Sequence, residues 1–422
     1  MTRIEGELPR FAVEVAKDVL RYSPMLVVQG ARQVGKSTLM RQALSPEHTE
    51  FVTLDEPTMR DYASTDPRGF VEQAPGKTLA IDEAQRVPEL ALALKASIDE
   101  NRAPGRFAIT GSADLLKVKG VSDSLAGRAE SLIVYPLSQG EIDRRETPEN
   151  WIEWILGGCE GDLLPGNGVD VRHRVIQGGY PEPLKRPTAQ AKRWFRNYVE
   201  RLATHDAKEL VNRSSFPLHL ENLLKIFASD GQQELVVAKK ARQIHISEAA
   251  FRDYQELARM MYLSAELPSW GVGLSGRVVR RPKVSLIDSG LASALSGLDV
   301  KNSMQSGGFE LFGATLEAFV VSELRKQLSW MQDPPQLFHY REREAEIDVV
   351  IEVPDGRLIL IEIKSAMDVH PRAWKHLDEM SAKLGDRVAA KVVLNMGNRV
   401  LKLKRPHGKG FVVPIRSLWD HP

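Results

Sequence analysis

The chain has a single cysteine, Cys159, among 422 residues. That scarcity excludes an intrachain disulfide framework and a zinc cluster built on several thiolates, and it makes a reducing cytoplasm the expected compartment. No apolar run approaches the roughly 18 residues of a membrane span. The opening Met1-Thr2-Arg3-Ile4-Glu5-Gly6-Glu7 lacks the apolar core of a secretory leader. Internal repeats and low-complexity tracts are missing as well. So is a large charge imbalance, since 57 Lys and Arg meet 56 Asp and Glu for a net charge of +1, a balance that hides local asymmetry. What remains is a globular composition, 42% hydrophobic and 27% charged, in a chain long enough for about two to three domains with their own cores.

Against that plain background stands Gly30-Ala31-Arg32-Gln33-Val34-Gly35-Lys36-Ser37-Thr38, directly behind the apolar run Met25 to Val28. The order reads as strand, phosphate loop, helix. Gly30 and Gly35 bracket four residues whose backbone N–H groups can curl round a β-phosphate, with Lys36 reaching the β- and γ-oxygens and Ser37 holding Mg²⁺. A helix from Lys36 to about Leu44 adds the positive end of its dipole.

A second element, Leu79-Ala80-Ile81-Asp82-Glu83, decides the reading. A short buried strand ending in two acids places Asp82 beside the metal and Glu83 where it can polarise or deprotonate an attacking water. The bland alternative is a strand end carrying two solvated acids. Together the two elements point to nucleotide hydrolysis with ATP and Mg²⁺ as ligands. Strands are expected at Met25–Val28, Phe51–Leu54, Leu79–Asp82, Arg106–Thr110 and Ser131–Tyr135, with helices between them, which indicates a parallel sheet wrapped by helices. The fourth strand ends in Thr110-Gly111-Ser112, where Thr110 or Ser112 can sense the γ-phosphate or the attacking water; an ordinary strand-to-loop step would look similar. Arg128, before the fifth strand, is placed as an arginine finger for a neighbouring subunit, an effect of about 10³ to 10⁵ in rate, or as a helix-end Arg satisfying terminal carbonyls.

These motifs, with Leu54-Asp55-Glu56-Pro57, Ile81-Asp82-Glu83-Ala84-Gln85-Arg86-Val87-Pro88, Leu125-Ala126-Gly127-Arg128 and Pro136-Leu137-Ser138, resemble the AAA+ type ATPases of a widespread prokaryotic family. Its members carry an uncharacterised C-terminal domain of restriction-endonuclease-like fold. Gly178-Gly179-Tyr180-Pro181, Leu286-Ile287-Asp288-Ser289-Gly290-Leu291 and Glu362-Ile363-Lys364 extend the resemblance over nearly the whole chain. The resemblance implies architecture more than purpose. The fold class it implies is α/β: a P-loop AAA+ ATPase core over 1–145, a helical lid or connector over 146–213, a winged-helix-like domain over 214–300 and a PD-(D/E)xK nuclease-like domain over 301–422.

In the connector, Trp194 and Tyr198 lie four apart on one helical face and read as core. Beyond it, helices expected at Leu218–Ala228, Val236–Gln243 and Ser247–Tyr262, then strands at Leu263–Trp270 and Pro282–Ile287, suggest the winged helix, with Ser247 as an N-cap. Residues 239 to 283 hold nine Lys or Arg against four acids. That surplus suits a helix in the DNA major groove and a basic wing on phosphates, although winged helices also dock proteins. In the last domain Glu317, Asp348, Glu362 and Lys364 supply the acid, acid-x-lysine set by residue type. Asp348 and Glu362 would bind Mg²⁺, Glu317 would add a carboxylate and Lys364 would orient water. A three-residue turn at Asp355–Arg357 clusters them, with Asp348 opposite Lys364; a two-residue Asp355-Gly356 turn puts Asp348 on the other face. A satisfied ion pair at a buried strand end is the competing account. Arg387 to Lys409 has seven Lys or Arg and no acid, which suits phosphate contact. The expected partners are therefore DNA and further copies of the chain in a ring, or else a protein partner docked on a catalytically inactive C-terminal domain.

Overall fold

The computed structural model describes residues 7–111, 127–166, 168–206, 216–271 and 281–422. Contacts divide the chain into two compact units, the first made of Met1–Leu137 with Met260–Leu263 and Ser329–Gln332, the second of the remainder.

The first unit holds five strands: β1 (Met25–Gln29), β2 (Thr49–Thr53), β3 (Thr78–Asp82), β4 (Phe107–Gly111) and β5 (Ala129–Ile133). All pair in parallel, in the order β2-β3-β4-β1-β5. They lie within about two residues of the expected positions because each is a short apolar or β-branched run closed by a polar or Gly-containing step. β1 is buried along its whole length, as a strand covered on both faces must be. Around the sheet run α1 (Val13–Tyr22), α2 (Lys36–Ala43) and α3 (Leu90–Glu100). Leu90, Leu94 and Ile98 of α3 pack with Val27, Leu79, Ile81, Phe107 and Ile109, each such side chain contributing about 1.5–3 kcal/mol when fully buried. β1 leads on to β2 at one edge of the sheet and β4 leads on to β5 at the other. The outgoing connections of these neighbouring strands therefore part at their carboxyl ends, the crevice in which open parallel sheets bind ligands.

The second unit contains α4 (Thr188–Arg201) and then the series α5 (Phe216–Asp230), β6 (Gln233–Glu234), α6 (Val237–Gln243), α7 (Glu248–Met260), β7 (Ser264–Leu267) and β8 (Lys283–Leu286). β6, β8 and β7 form a three-stranded antiparallel sheet. Ser247 caps α7 as expected, its Oγ accepting from Ala250 N at 3.1 Å. Trp194 and Tyr198 of α4 stack at 5.0 Å, and Tyr180 packs edge-on against Phe195 and Tyr198. That is core use of the aromatics.

Two of the later motifs prove to be one joint. Asp288 takes N–H bonds from Gly179 at 2.7 Å and Leu291 at 2.8 Å, capping α8 (Ser289–Ser296). Gly178, at φ +72°, passes so close that a Cβ would sit 2.4 Å from Asp288 Oδ1. Cys159 is buried and its thiol is pushed up to about 12 by desolvation, which removes thiolate chemistry near neutral pH.

The rest of the unit is α9 (Gly308–Leu328), β9 (Gln336–Glu342), β10 (Ala345–Glu352), β11 (Leu358–Ile363), α10 (Lys375–Leu384), β12 (Val388–Asn395), β13 (Leu401–Arg405) and β14 (Gly408–Pro414). The six strands form one mixed sheet, β13-β14-β12-β11-β10-β9, antiparallel from β9 to β11 and parallel from β11 through β12 to β14. Both turn geometries considered for β10–β11 give way to a third. Val353 N donates to Arg357 O at 3.0 Å and Gly356 N to Val353 O at 2.8 Å, so the loop is 354–356. Val349 faces Ile361 and Val350 faces Leu360, which sets Asp348 across from Glu362 and only diagonal to Lys364. A shift of two positions preserves side-chain parity, so the acids still share a face.

Candidate functional site

The loop between β1 and α2 is shaped by backbone that only certain residues tolerate. Gly30 lies at φ +150° and Gly35 at φ +97°, with Gln33 between them at φ +63°. A Cβ on Gly30 would sit 2.2 Å from the carbonyl oxygen of Val134, so the loop starts against the segment after β5 and only glycine fits. Arg10 fastens it from the N-terminal side, donating to Val34 O at 2.9 Å and Tyr135 O at 2.8 Å. Sequence reading missed Arg10, because an arginine ahead of a helical pattern carries no signal of the carbonyls it will meet.

Lys36 opens α2 and is 5% exposed. Its ammonium donates to Gly30 O at 3.1 Å and Ala31 O at 3.0 Å. Burial pulls it down to about 8, with Glu83 and Asp82 offsetting part of that loss. Ser37 Oγ donates to the Asp82 carboxylate, 3.0 Å from each oxygen. Thr110, fully buried at the end of β4, donates to Asp82 Oδ1 and accepts from Glu83 N at 3.1 Å. One hydroxyl thus fixes both acids. Glu83 sits in the left-handed region at φ +58°, a conformation costing about 1–3 kcal/mol that clusters at functional positions. Gln85 Nε2 donates to its carboxylate, a partner that sequence reading did not assign. Ser112 lies outside the described residues.

The donor set tests well for a hard cation. A serine hydroxyl and an aspartate within hydrogen-bond distance of each other supply the two protein oxygens that a Mg²⁺ bound mainly by phosphates and water requires. Ala31, Arg32, Gln33, Val34 and Thr38 complete the loop around that position.

Arg128 precedes β5, whose first residue Ala129 pairs with Met25 at the amino end of β1. It therefore lies at the opposite end of the sheet from the loop of its own chain. It forms a forked pair with Asp99 of α3, at 2.7 and 2.9 Å.

In the second unit the structure gathers Glu317 of α9, Asp348 of β10, Glu362 of β11 and Lys364, and it adds two residues absent from the sequence-level set: Glu346 and Lys283. The β10 register against β9 shifts between Ile347 and Val350, a bulge of the kind that re-aims a side chain, and Asp348 sits in it. Its Oδ2 accepts from Ile363 N at 2.8 Å. Lys364 Nζ lies 2.5 Å from Glu362 Oε1 and Lys283 Nζ 2.8 Å from Glu346 Oε1. Burial, reinforced by Asp348, pushes Glu317 up to about 8 and Glu362 to about 7. Burial raises Asp348 as well, against the pull of Lys283. Burial by itself would lower Lys283, yet Asp348, Glu317 and Glu346 hold it above its ordinary value. Among the described residues no three carboxylate, imidazole or thiolate side chains converge to hold a metal ion.

Part of each basic stretch is ion-paired. Within 239–283, Lys240 pairs with Asp230, Arg252 with Glu248 and Arg259 with Glu256, while Arg277 and Arg280 lie outside the described residues. Within 387–409, Lys391 and Arg405 both pair with Asp378 and Lys402 with Glu160. Among the described residues no helix is long and apolar enough to cross a membrane.

The first unit thus carries the parts of a P-loop ATPase. A family model described as an AAA domain matches residues 22–143. Two further models, described as Domain of unknown function (DUF8612) and Domain of unknown function (DUF4143), match residues 169–302 and 312–418. The chain is similar to the uncharacterized proteins Rv2008c of Mycobacterium tuberculosis and Mb2031c of Mycobacterium bovis. It is 26% identical to each over 358 residues, which is 84% of this chain and 73% of theirs. Among solved structures, the Walker-type ATPase paby2304 of Pyrococcus abyssi aligns over 70% of this chain and 97% of its own at 17% identity, with a TM-score of 0.41. The C. elegans protein PCH-2 aligns over 59% of this chain and 65% of its own at 13% identity, with a TM-score of 0.22.

Proposed function

We propose that the chain is a Mg²⁺-dependent ATPase that works as an assembly and engages DNA. The observation that carries the enzymatic part is the convergence of Lys36, Ser37, Asp82, Glu83 and Thr110 at one end of the parallel sheet. In this reading the loop amides and Lys36 bind the triphosphate, and Ser37 and Asp82 hold Mg²⁺. The metal, when bound, neutralises charge on the β- and γ-oxygens. Glu83, released from Gln85, accepts a proton from the attacking water. Thr110 keeps the two acids in register. Arg128 leaves Asp99 to face the nucleotide of a neighbouring copy, an assignment supported by its place at the far end of the sheet. Phosphate release measured with and without Mg²⁺, on the wild type and on Lys36→Ala, tests the enzymatic part. No nucleotide-dependent heat and no turnover in folded protein would sink it.

The DNA part rests on the order helix, strand, two helices, two strands over 216–286, which suits a winged helix. It also rests on the helix, three-strand meander, helix, parallel strand of 301–422, which suits a PD-(D/E)xK nuclease-like domain. DNA affinity with no salt dependence would count against it. A second reading, an ATP-gated scaffold whose C-terminal domain is catalytically inactive and binds a protein, is favoured by the pairing of that domain's acids with lysines. Asp348→Ala and Glu362→Ala separate the two: unchanged DNA cleavage in both variants removes the nuclease branch.

A further inference from the structure

The C-terminal carboxylates have more internal positive charge than the acid, acid-x-lysine pattern supplies, and it comes from elsewhere in the chain. Lys283 belongs to β8, in the three-stranded sheet, and falls in the 169–302 match and outside the 312–418 match. It is 3% exposed to solvent at the side chain and bonds Glu346, and its charge also acts on Asp348 and Glu317. Lys364 pairs with Glu362. A Mg²⁺ or Mn²⁺ ion needs about six oxygens with open valence around it. Here Glu346 Oε1 is bonded to Lys283, Glu362 Oε1 to Lys364 and Asp348 Oδ2 to the Ile363 N–H. A cation entering beside Lys283 would meet like charge in a poorly screened interior.

We propose that Lys283 is a built-in counter-cation that takes the electrostatic place of a divalent metal in the Glu317–Glu346–Asp348–Glu362 cluster, closing it to metal ions. This deepens the nuclease-like reading of 301–422 and rests on it. The domain keeps the acids of a metal-dependent nuclease, but the cluster holds them as a structural knot tied by two lysines and does not cleave phosphodiesters. The mechanism is simple competition between one tethered charge of +1 and a free ion of +2 for the same carboxylates. A tethered ammonium is present at all metal concentrations, and its removal leaves buried carboxylates uncompensated.

The test is a Mn²⁺ titration followed by electron paramagnetic resonance on the full-length, nucleotide-free chain. Wild type is expected to show no Mn²⁺ site that Asp348→Asn removes. Lys283→Met is expected to gain one such site, with affinity raised by about tenfold or more, and Lys283→Met/Asp348→Asn is expected to lose it again. An Asp348-dependent Mn²⁺ site in wild type overturns the proposal. So does a Lys283→Met chain with native circular dichroism and no gained site. Should Lys283→Met not fold, Lys283→Gln, which keeps a hydrogen-bond donor for Glu346, is read the same way. DNA affinity and its salt dependence, followed on the same samples, report on the nuclease-like reading, so its failure is seen separately from that of the Lys283 assignment.

Discussion

The P-loop site and the C-terminal cluster both place buried lysines near pairs of acids, and they do so with opposite outcomes. At the P-loop, Lys36 bonds two backbone carbonyls and Asp82 bonds two hydroxyls. Neutral dipoles satisfy the charges only in part. A triphosphate with Mg²⁺ offers each of them a fully charged partner and displaces nothing but dipoles. In the C-terminal cluster two of the four acids are ion-paired, Glu346 with Lys283 and Glu362 with Lys364. There a ligand that takes either of these acids must break an ion pair first. The partner's charge, more than the residue types, separates a site open to a ligand from a closed one.

Arg128 lies between these extremes, and it gives the largest expected effect. Its pair with Asp99 is forked but surface-exposed, and exposed pairs are worth only about 0–1 kcal/mol. Giving up that pair thus costs little. If Arg128 completes a neighbour's site, Arg128→Ala lowers turnover of the assembled protein by about 10³ to 10⁵, while Asp99→Asn, which removes the pair, leaves turnover intact. Equal loss in both variants would show that the pair is structural. Next in size is Glu83→Gln, expected to cut turnover by about 10² to 10⁴ while leaving nucleotide binding in place. Lys36→Ala loses the binding itself. Phosphate release paired with calorimetry separates the two, and full turnover in Glu83→Gln would remove Glu83 as the base.

The frame of the P-loop supplies a third contrast. Gly30→Ala drives a methyl group to 2.2 Å from a backbone oxygen at φ +150°, whereas at Gly35, φ +97°, the nearest atom is the Arg10 side chain at 3.6 Å. Backbone strain acts at both positions but the clash acts at one. Chemical denaturation is expected to show Gly30→Ala less stable than wild type by about 2–4 kcal/mol, with Gly35→Ala losing less. Equal losses would mean that the Val134 carbonyl yields easily.

These contrasts also mark what could be read from the residues. The strands of the first sheet, the loop and the Asp82-Glu83 pair follow local patterns of apolar runs and turn-forming steps, and so they stand where the sequence places them. The helices of 216–260 do so for the same reason. The C-terminal cluster was legible only in outline. The β10–β11 loop uses 354–356, and Asp348 is aimed by a bulge, a feature set by pairing across the sheet that leaves no local mark. Lys283 was visible only as one cation in a basic stretch. Nothing in its neighbourhood shows that β8 carries it to carboxylates 34 to 79 positions later in the chain. Asp55 and Arg86, quoted in separate motifs, turn out to form an ion pair, and the Gly178 and Asp288 motifs one joint. Some motifs therefore mark structure where they suggest chemistry.

The smallest expected effect returns to the partner's charge. In the nucleotide-free chain Lys36 is held at about 8 by burial, whereas beside phosphate oxygens its charged form is favoured. Below pH 8 the ammonium is charged in both states, and binding exchanges no proton at this residue. Above pH 8 the free chain carries a neutral amine, so binding takes up a proton and affinity falls with pH, by about tenfold per unit at most. The stability of the nucleotide-free chain runs the other way. Between pH 8 and the ordinary lysine value of 10.5 the unfolded chain binds more protons than the folded one, so the cost of burying this ammonium is relieved as pH rises through that window. Calorimetry at pH 8.5 to 9.5 in buffers of differing ionisation enthalpy reads the proton uptake directly. Lys36→Met should bind weakly with no such uptake. A wild-type affinity flat from pH 7 to 9.5, with no proton exchanged, would show that the carbonyls of Gly30 and Ala31 hold a permanently charged ammonium, and the contrast with the ion-paired lysines of the C-terminal cluster would then lose its basis.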